Sequence, residues 1–136
     1  MIRIGHGYDV HRFGVVENSA SITLGGCSIA YERPLLAHSD GDVLIHALCD
    51  AILGALCLGD IGKHFPDTDM EYKNTDSKFF LAEIKKMLDD KYDKYRYYIN
   101  DGLRLFLCDK SDKSDPSPID DVQFVGLLIS LLFVAE

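Results

Sequence analysis

The sequence predicts an α/β fold, a single compact domain over residues 1–136 with a β-sheet covered by helices. Strand-like alternation fills the first third, two later segments carry apolar residues at helical spacing, and 136 residues suit one domain of ordinary size. Taken in order, Ile2, Ile4 and Tyr8 read as a short strand. Ser21–Leu24 and Cys27–Tyr31 flank Gly25-Gly26, which supplies the positive φ angles of a hairpin turn, and Pro34 ends the pair. Val43, Leu44, Ala47, Leu48, Ala51, Ile52 and Ala55 predict a helix from about Asp42 to Cys57, with Asp40 or Asp42 as N-cap and Gly59 as stop. Leu58–Thr75, with its glycines, Pro66 and clustered Asp, Thr and Asn, reads as a loop. Phe79, Phe80, Ile84, Met87 and Leu88 predict a second helix from about Asp76 to Lys91, capped by Asp76 or Ser77. Beyond a Tyr/Lys-rich stretch at Tyr92–Tyr98, Leu103–Cys108 reads as a strand and Lys110–Pro118 as a loop. Ile119–Val134 fits a last helix or a buried strand, which periodicity does not decide.

Composition narrows the function. Hydrophobic residues are 47% and charged residues 26%, an ordinary globular balance. Lys plus Arg is 14 and Asp plus Glu 22, a net charge of −8, which argues against nucleic-acid and anionic-membrane binding. Cys27, Cys49, Cys57 and Cys108 form no CxxC pair, so a reducing compartment is expected. The N-terminal MIRIGHGYDVHRF lacks the apolar core of a signal peptide and the Arg/Ser-rich character of a transit peptide. A cytoplasmic location is expected, or the plastid stroma if a transit peptide has been removed. The apolar run Val125–Ala135 is well short of the ~20 residues that span a bilayer.

All 5 histidines lie in the first 64 residues, which confines metal or acid–base chemistry to the first half. Asp9 and His11 are two residues apart and share one face of a strand. With His46 they make a three-ligand set that leaves a tetrahedral position open; the alternative is a surface pair and a solvated histidine. Asp42, His46 and Asp50 share a helical face, so a neighbouring carboxylate is placed to orient His46, or else merely caps the helix or faces solvent. His38-Ser39-Asp40-Gly41-Asp42 crowds a helix start, either as an anion site or as an over-capped terminus. Gly59–Asp69 is long enough to wrap a nucleotide, with Lys63 toward phosphate, or is an acidic, turn-rich linker.

GHGYDVHRF, LLAHSDGDVLIHALCDAILGA and LGDIGKHFPDTD, in that order, resemble the 2-C-methyl-D-erythritol 2,4-cyclodiphosphate synthase family over about residues 1–91. The resemblance implies a metal-dependent phosphorus–oxygen lyase of the non-mevalonate isoprenoid pathway. It converts CDP-linked methylerythritol 2-phosphate to the cyclic diphosphate and CMP. It further implies a trimer-forming fold with the active site between subunits, and a zinc ion (Zn2+) on Asp9, His11 and His46. His38 falls where the family has a transition-state stabiliser and Ser39 where it binds substrate. Asp9 and His11 also belong to the substrate-contacting segment. Asp60, Ile61 and Gly62 match the diol-binding segment, and Phe65, Pro66, Asp67, Thr68 and Asp69 a further substrate segment. Residues 92–136 depart from the pattern. Asn100–Lys110 is a distorted counterpart of the cytidine-pocket strand, with Pro116–Leu127 as the next helix. The family's terminal Thr/Glu block, whose Glu binds Mg2+ or Mn2+, has no equivalent. That leaves a catalytically impaired zinc-binding relative, with an altered or frameshifted C-terminus, as the alternative. An unrelated metal phosphohydrolase is a weaker third reading.

Overall fold

The computed structural model describes the backbone of residues 2–18, 20–91, 95–99, 104–109 and 122–135, and side chains over residues 3–18 and 20–90. The strand expected at the N-terminus is longer than its apolar residues suggest. β1 runs Ile2–Phe13 and is followed by β2 (Ser21–Leu24), β3 (Cys27–Ala30) and β4 (Leu35–Leu36). The helices are α1 (Val43–Leu56), the four-residue α2 (Ile61–His64) and α3 (Ser77–Lys91), with a 3₁₀ turn at Met70–Tyr72. Three more strands follow: β5 (Tyr95–Ile99), β6 (Arg104–Asp109) and β7 (Val122–Ala135).

The sheet is antiparallel. β1 lies between β4 and the long β7, pairing with β7 from Ile2↔Val134 to Arg12↔Phe124. β7 in turn pairs with β5 near its end and with β6 near its start. The last segment is therefore strand over residues 122–135, which decides between the two options for Ile119–Val134. The helix expected at Pro116–Leu127 is replaced by strand over 122–127, and residues 116–121 lie outside the described residues. Leu103–Cys108 corresponds to β6 and Tyr92–Tyr98 in part to β5. The Lys110–Pro118 loop lies outside the described residues.

β1 inverts the usual pattern. Its odd-numbered residues face α1, and they are Arg3, Gly5, Gly7, Asp9, His11 and Phe13; Ile4 and Tyr8 point away, 72% and 53% exposed. A Cβ on Gly5 would fall 1.8 Å from the Ala51 carbonyl oxygen, and one on Gly7 1.8 Å from that of Ala47. Glycine is required because strand backbone meets helix backbone directly, over a row of alanines at Ala47, Ala51 and Ala55.

α1 is the centre of the core. Val43, Ile45, Cys49, Ile52, Leu53 and Leu56 are buried around it, and Phe80, Ile84 and Leu88 of α3 pack from the other side. Each such side chain contributes about 1.5–3 kcal/mol by leaving water. Asp42, not Asp40, is the N-cap: its Oδ1 accepts from the amides of Leu44 (3.1 Å) and Ile45 (3.0 Å). The same buried carboxylate accepts from Gly25 (2.9 Å) and Gly26 (2.6 Å) in the β2–β3 turn, whose φ angles of 61° and 76° suit the expected hairpin. The helix ends at Leu56, three residues before Gly59. Cys57 takes the left-handed conformation (φ 58°) and donates to Gly54, while Leu58 donates to Leu53, which closes the last turn. Asp76 caps α3 through the Lys78 amide (2.9 Å).

The segment expected as plain loop carries α2, capped by Asp60, and an aromatic anchor. Phe65 stacks against Phe80 (4.9 Å between centroids) and edge-on to Tyr72 (5.4 Å), which holds residues 58–75 against α3. Among the described residues no helix is long and apolar enough to cross a membrane.

Candidate functional site

The inner face of β1 ends in Asp9 and His11, directly opposite His46 on the first turn of α1. His46 Nδ1 lies 2.9 Å from Asp9 Oδ2, and His11 Nε2 lies 3.2 Å from that oxygen and 3.3 Å from His46 Nδ1. The glycines beneath make this possible, since a bulkier strand would hold the helix away.

Burial raises the Asp9 pKa, but hydrogen bonds and charge from His11 and His46 outweigh it and hold the carboxyl well below its ordinary range. Asp9 is thus ionised under all ordinary conditions. Two imidazole nitrogens and one carboxylate oxygen at 2.9 to 3.3 Å span a triangle close to the tetrahedral edge of about 3.3 Å set by bonds of ~2.0–2.1 Å. The donor set therefore fits a divalent cation with one position open. Among the described residues it is the one such convergence of three potential ligands.

These side chains form one wall of a cavity of about 160 Å³, also lined by His38, Ser39, Ile61, Gly62, Phe65, Asp67, Tyr72 and Phe80. Most of the expected site residues therefore meet in one place. Asp60 lies just behind as the cap of α2, accepting from the Lys63 amide (2.9 Å), and the Asp69 carbonyl faces His38 Nε2 at 3.3 Å. Pro66 and Thr68 are exposed beside the lining residues. Lys63 lies against Gly59, outside the cavity lining.

The structure decides two alternatives left open on the α1 face. Asp50 does not orient His46; it accepts from the Ile61 amide at 2.8 Å and so anchors α2. Its pKa is raised, chiefly by burial and further by Asp60 and Asp9, against the Ile61 hydrogen bond that lowers it. The start of α1 is no open anion site, because Asp42 already occupies its first amides. His46 Nε2 instead faces Ser77 Oγ at 2.8 Å and Ser39 Oγ at 3.2 Å. Ser77, Tyr72 and Phe80 were not expected as site residues. For Ser77 the only signal was its place at a helix start, which has a sufficient explanation in capping.

A model described as the YgbB family matches residues 2–98, somewhat past the limit near Lys91 expected from the motifs. A 2-C-methyl-D-erythritol 2,4-cyclodiphosphate synthase of Francisella philomiragia subsp. philomiragia is 82% identical over 89 residues, 65% of this chain and 55% of that protein. One from Francisella tularensis subsp. novicida is 70% identical over 98 residues, covering 72% and 58%. The chain thus spans little more than half the length of these relatives. A solved 2C-methyl-D-erythritol-2,4-cyclodiphosphate synthase in its CDP-bound form is 29% identical, with a TM-score of 0.73 over 97% of this chain and 100% of that one. The bifunctional IspDF of Campylobacter jejuni is 29% identical, with a TM-score of 0.67 over 99% of this chain and 43% of the other.

Proposed function

The chain belongs to the YgbB family, and from that membership we propose that it catalyses the reaction for which its relatives are named. In this reading CDP-methylerythritol 2-phosphate is closed to 2-C-methyl-D-erythritol 2,4-cyclodiphosphate with release of CMP, a step of non-mevalonate isoprenoid synthesis. An oxygen of the 2-phosphate attacks the β-phosphorus. The bond from that phosphorus to the bridging oxygen breaks, and its electron pair leaves with CMP. No water is consumed and no protein nucleophile is needed, so the protein's task is positioning and charge neutralisation.

The observation that carries this reading is the convergence of Asp9, His11 and His46 at one end of a cavity also walled by His38, Ser39, Ile61, Gly62, Phe65 and Asp67. Those three would hold a zinc ion, which when bound neutralises and aligns the substrate phosphates. His38 stabilises charge developing on the diphosphate, and Ser39 hydrogen-bonds the substrate beside it. Asp60, Ile61 and Gly62 hold the methylerythritol diol, and Phe65, Pro66, Asp67, Thr68 and Asp69 border the remainder. The family's Mg2+ or Mn2+ has no ligand to assign among the described residues. A volume of about 160 Å³ is below the ~300–1,000 Å³ usual for small-molecule sites. In this reading, as the resemblance implies, the rest of the nucleotide site comes from a neighbouring subunit of a homotrimer, and residues 1–136 form one domain.

Incubating the protein with zinc, magnesium and CDP-methylerythritol 2-phosphate and following ³¹P NMR tests the proposal. Cyclic diphosphate and free CMP should appear in equal amounts. Hydrolysis to open-chain phosphates, or no release of CMP, would overturn it. Light scattering should give a mass three times that of the chain.

A further inference from the structure

His38 and Ser39 line the cavity, and neither belongs to a helix or a strand. Their backbone is fixed instead by the segment that leads into α3. The Asn74 amide donates to the His38 carbonyl (2.8 Å), and the Asp40 amide donates to the Thr75 carbonyl (3.3 Å). The Asp40 carboxylate then accepts from the Ser77 amide (3.1 Å) and from the Ser77 hydroxyl. Residues 38–40 are thus laced to residues 74–77 on either side of Ser39.

The lacing depends on one backbone angle. Tyr72–Thr75 is a type II turn: the Thr75 amide donates to the Tyr72 carbonyl (3.2 Å), Lys73 has φ −65° and ψ 127°, and Asn74 has φ 61°. The third position of such a turn demands a positive φ, which glycine adopts freely, asparagine tolerates and a β-branched residue resists. Among the described residues only Cys57 shares this conformation without being glycine, and there it closes α1. The Asn74 side chain is exposed. Its contribution is therefore its backbone: the left-handed angle closes the turn with the Asn74 amide facing His38.

We propose that Asn74 is a positioning residue, which by holding the left-handed conformation sets the place of His38 on the cavity wall. The effect on rate rests on the reaction proposed above, in which His38 stabilises developing charge; the anchoring of His38 does not. A displacement of about 1 Å at such a group costs about 10²-fold in rate.

The test compares the ¹⁵N-labelled full chain with Asn74→Val and Asn74→Gly, and with Asn74→Ala as a milder change. In the parent the Asn74 amide should exchange with deuterium far more slowly than a free peptide amide. In Asn74→Val the amide of residue 74 should exchange faster and the His38 ring signals should shift, and Asn74→Gly should restore both. Release of CMP should fall about 10²-fold in kcat for Asn74→Val, with KM and bound zinc unchanged, and recover in Asn74→Gly. A fast-exchanging Asn74 amide in the parent overturns the proposal. So does Asn74→Val with parental His38 signals and parental kcat, and so does a loss of rate that only tracks a loss of bound zinc. Asn74→Gly as slow as Asn74→Val would assign the effect to the asparagine side chain and also overturn it. A parent chain that releases no CMP removes the proposed reaction, and the exchange and ring spectra still decide the anchoring. If Asn74→Val does not fold, Asn74→Ala and the parent's exchange decide the matter.

Discussion

Gly7 sits directly beneath the carbonyl of Ala47, so close that a Cβ on Gly7 would fall 1.8 Å from that oxygen. Gly7→Ala must push α1 off β1, and His46 moves with the helix. The expected cost is about 1–3 kcal/mol or more in urea unfolding, with zinc affinity falling alongside. A variant that keeps both parental stability and parental affinity would show that the strand–helix approach does not build the site.

Gly54 provides the contrast. It lies on the exposed side of α1, and a Cβ there meets nothing closer than the His6 carbonyl oxygen at 3.8 Å. Gly54→Ala should therefore stabilise the protein by about 0.5–1 kcal/mol, read as a higher urea midpoint at unchanged m-value.

His46→Ala removes a donor from the middle of the triangle and leaves Asp9 and His11 as a two-ligand remnant. Bound zinc, measured by elemental analysis after gel filtration, should fall from one per chain to none. One tight zinc per chain in this variant would refute the ligand assignment.

Asp42→Ala leaves four amides without their acceptor, two in α1 and two in the β2–β3 turn. Loss of the cap costs about 0.5–2 kcal/mol, and the orphaned turn amides add to it, for a total of roughly 2–4 kcal/mol in urea unfolding.

The pKa of Asp50 is shifted in the direction opposite to that of Asp9. A carboxyl whose pKa is raised by folding favours the folded state at low pH and opposes it once ionised. In metal-free protein Asp50→Asn, which still accepts from Ile61, should raise Tm at pH 7. The gain should close as pH falls below the ordinary value of 3.8, where both states are protonated.

Much of this architecture is legible in the residues. The Gly25-Gly26 hairpin and α1 follow from local chemistry, because turn glycines and a helical apolar stripe act within a few residues. β1 is less legible: its inner face is Gly5, Gly7, Asp9 and His11 rather than apolar, and the rule that apolar side chains point inward reads it backwards. The Cys57 cap escapes notice because the left-handed position is taken by a non-glycine residue. Asp50 misleads because spacing gives the face of the helix, and the competing Ile61 amide comes from another element. Asp9 and His11 are visible as a pair. That His46 completes them depends on two segments more than thirty residues apart in the chain, which local spacing alone does not bring together.

The division of the candidate ligands between β1 and α1 has a thermodynamic consequence. Neither element holds the set alone, and the unfolded chain has no reason to bring Asp9 and His46 together. Occupancy of the site and docking of strand on helix are thus linked equilibria. A cation at 100 times its dissociation constant would add about 2.7 kcal/mol to the folded state, a substantial share of the marginal stability of a domain this size. The ion would then act as a clasp on the fold as well as a partner in its chemistry.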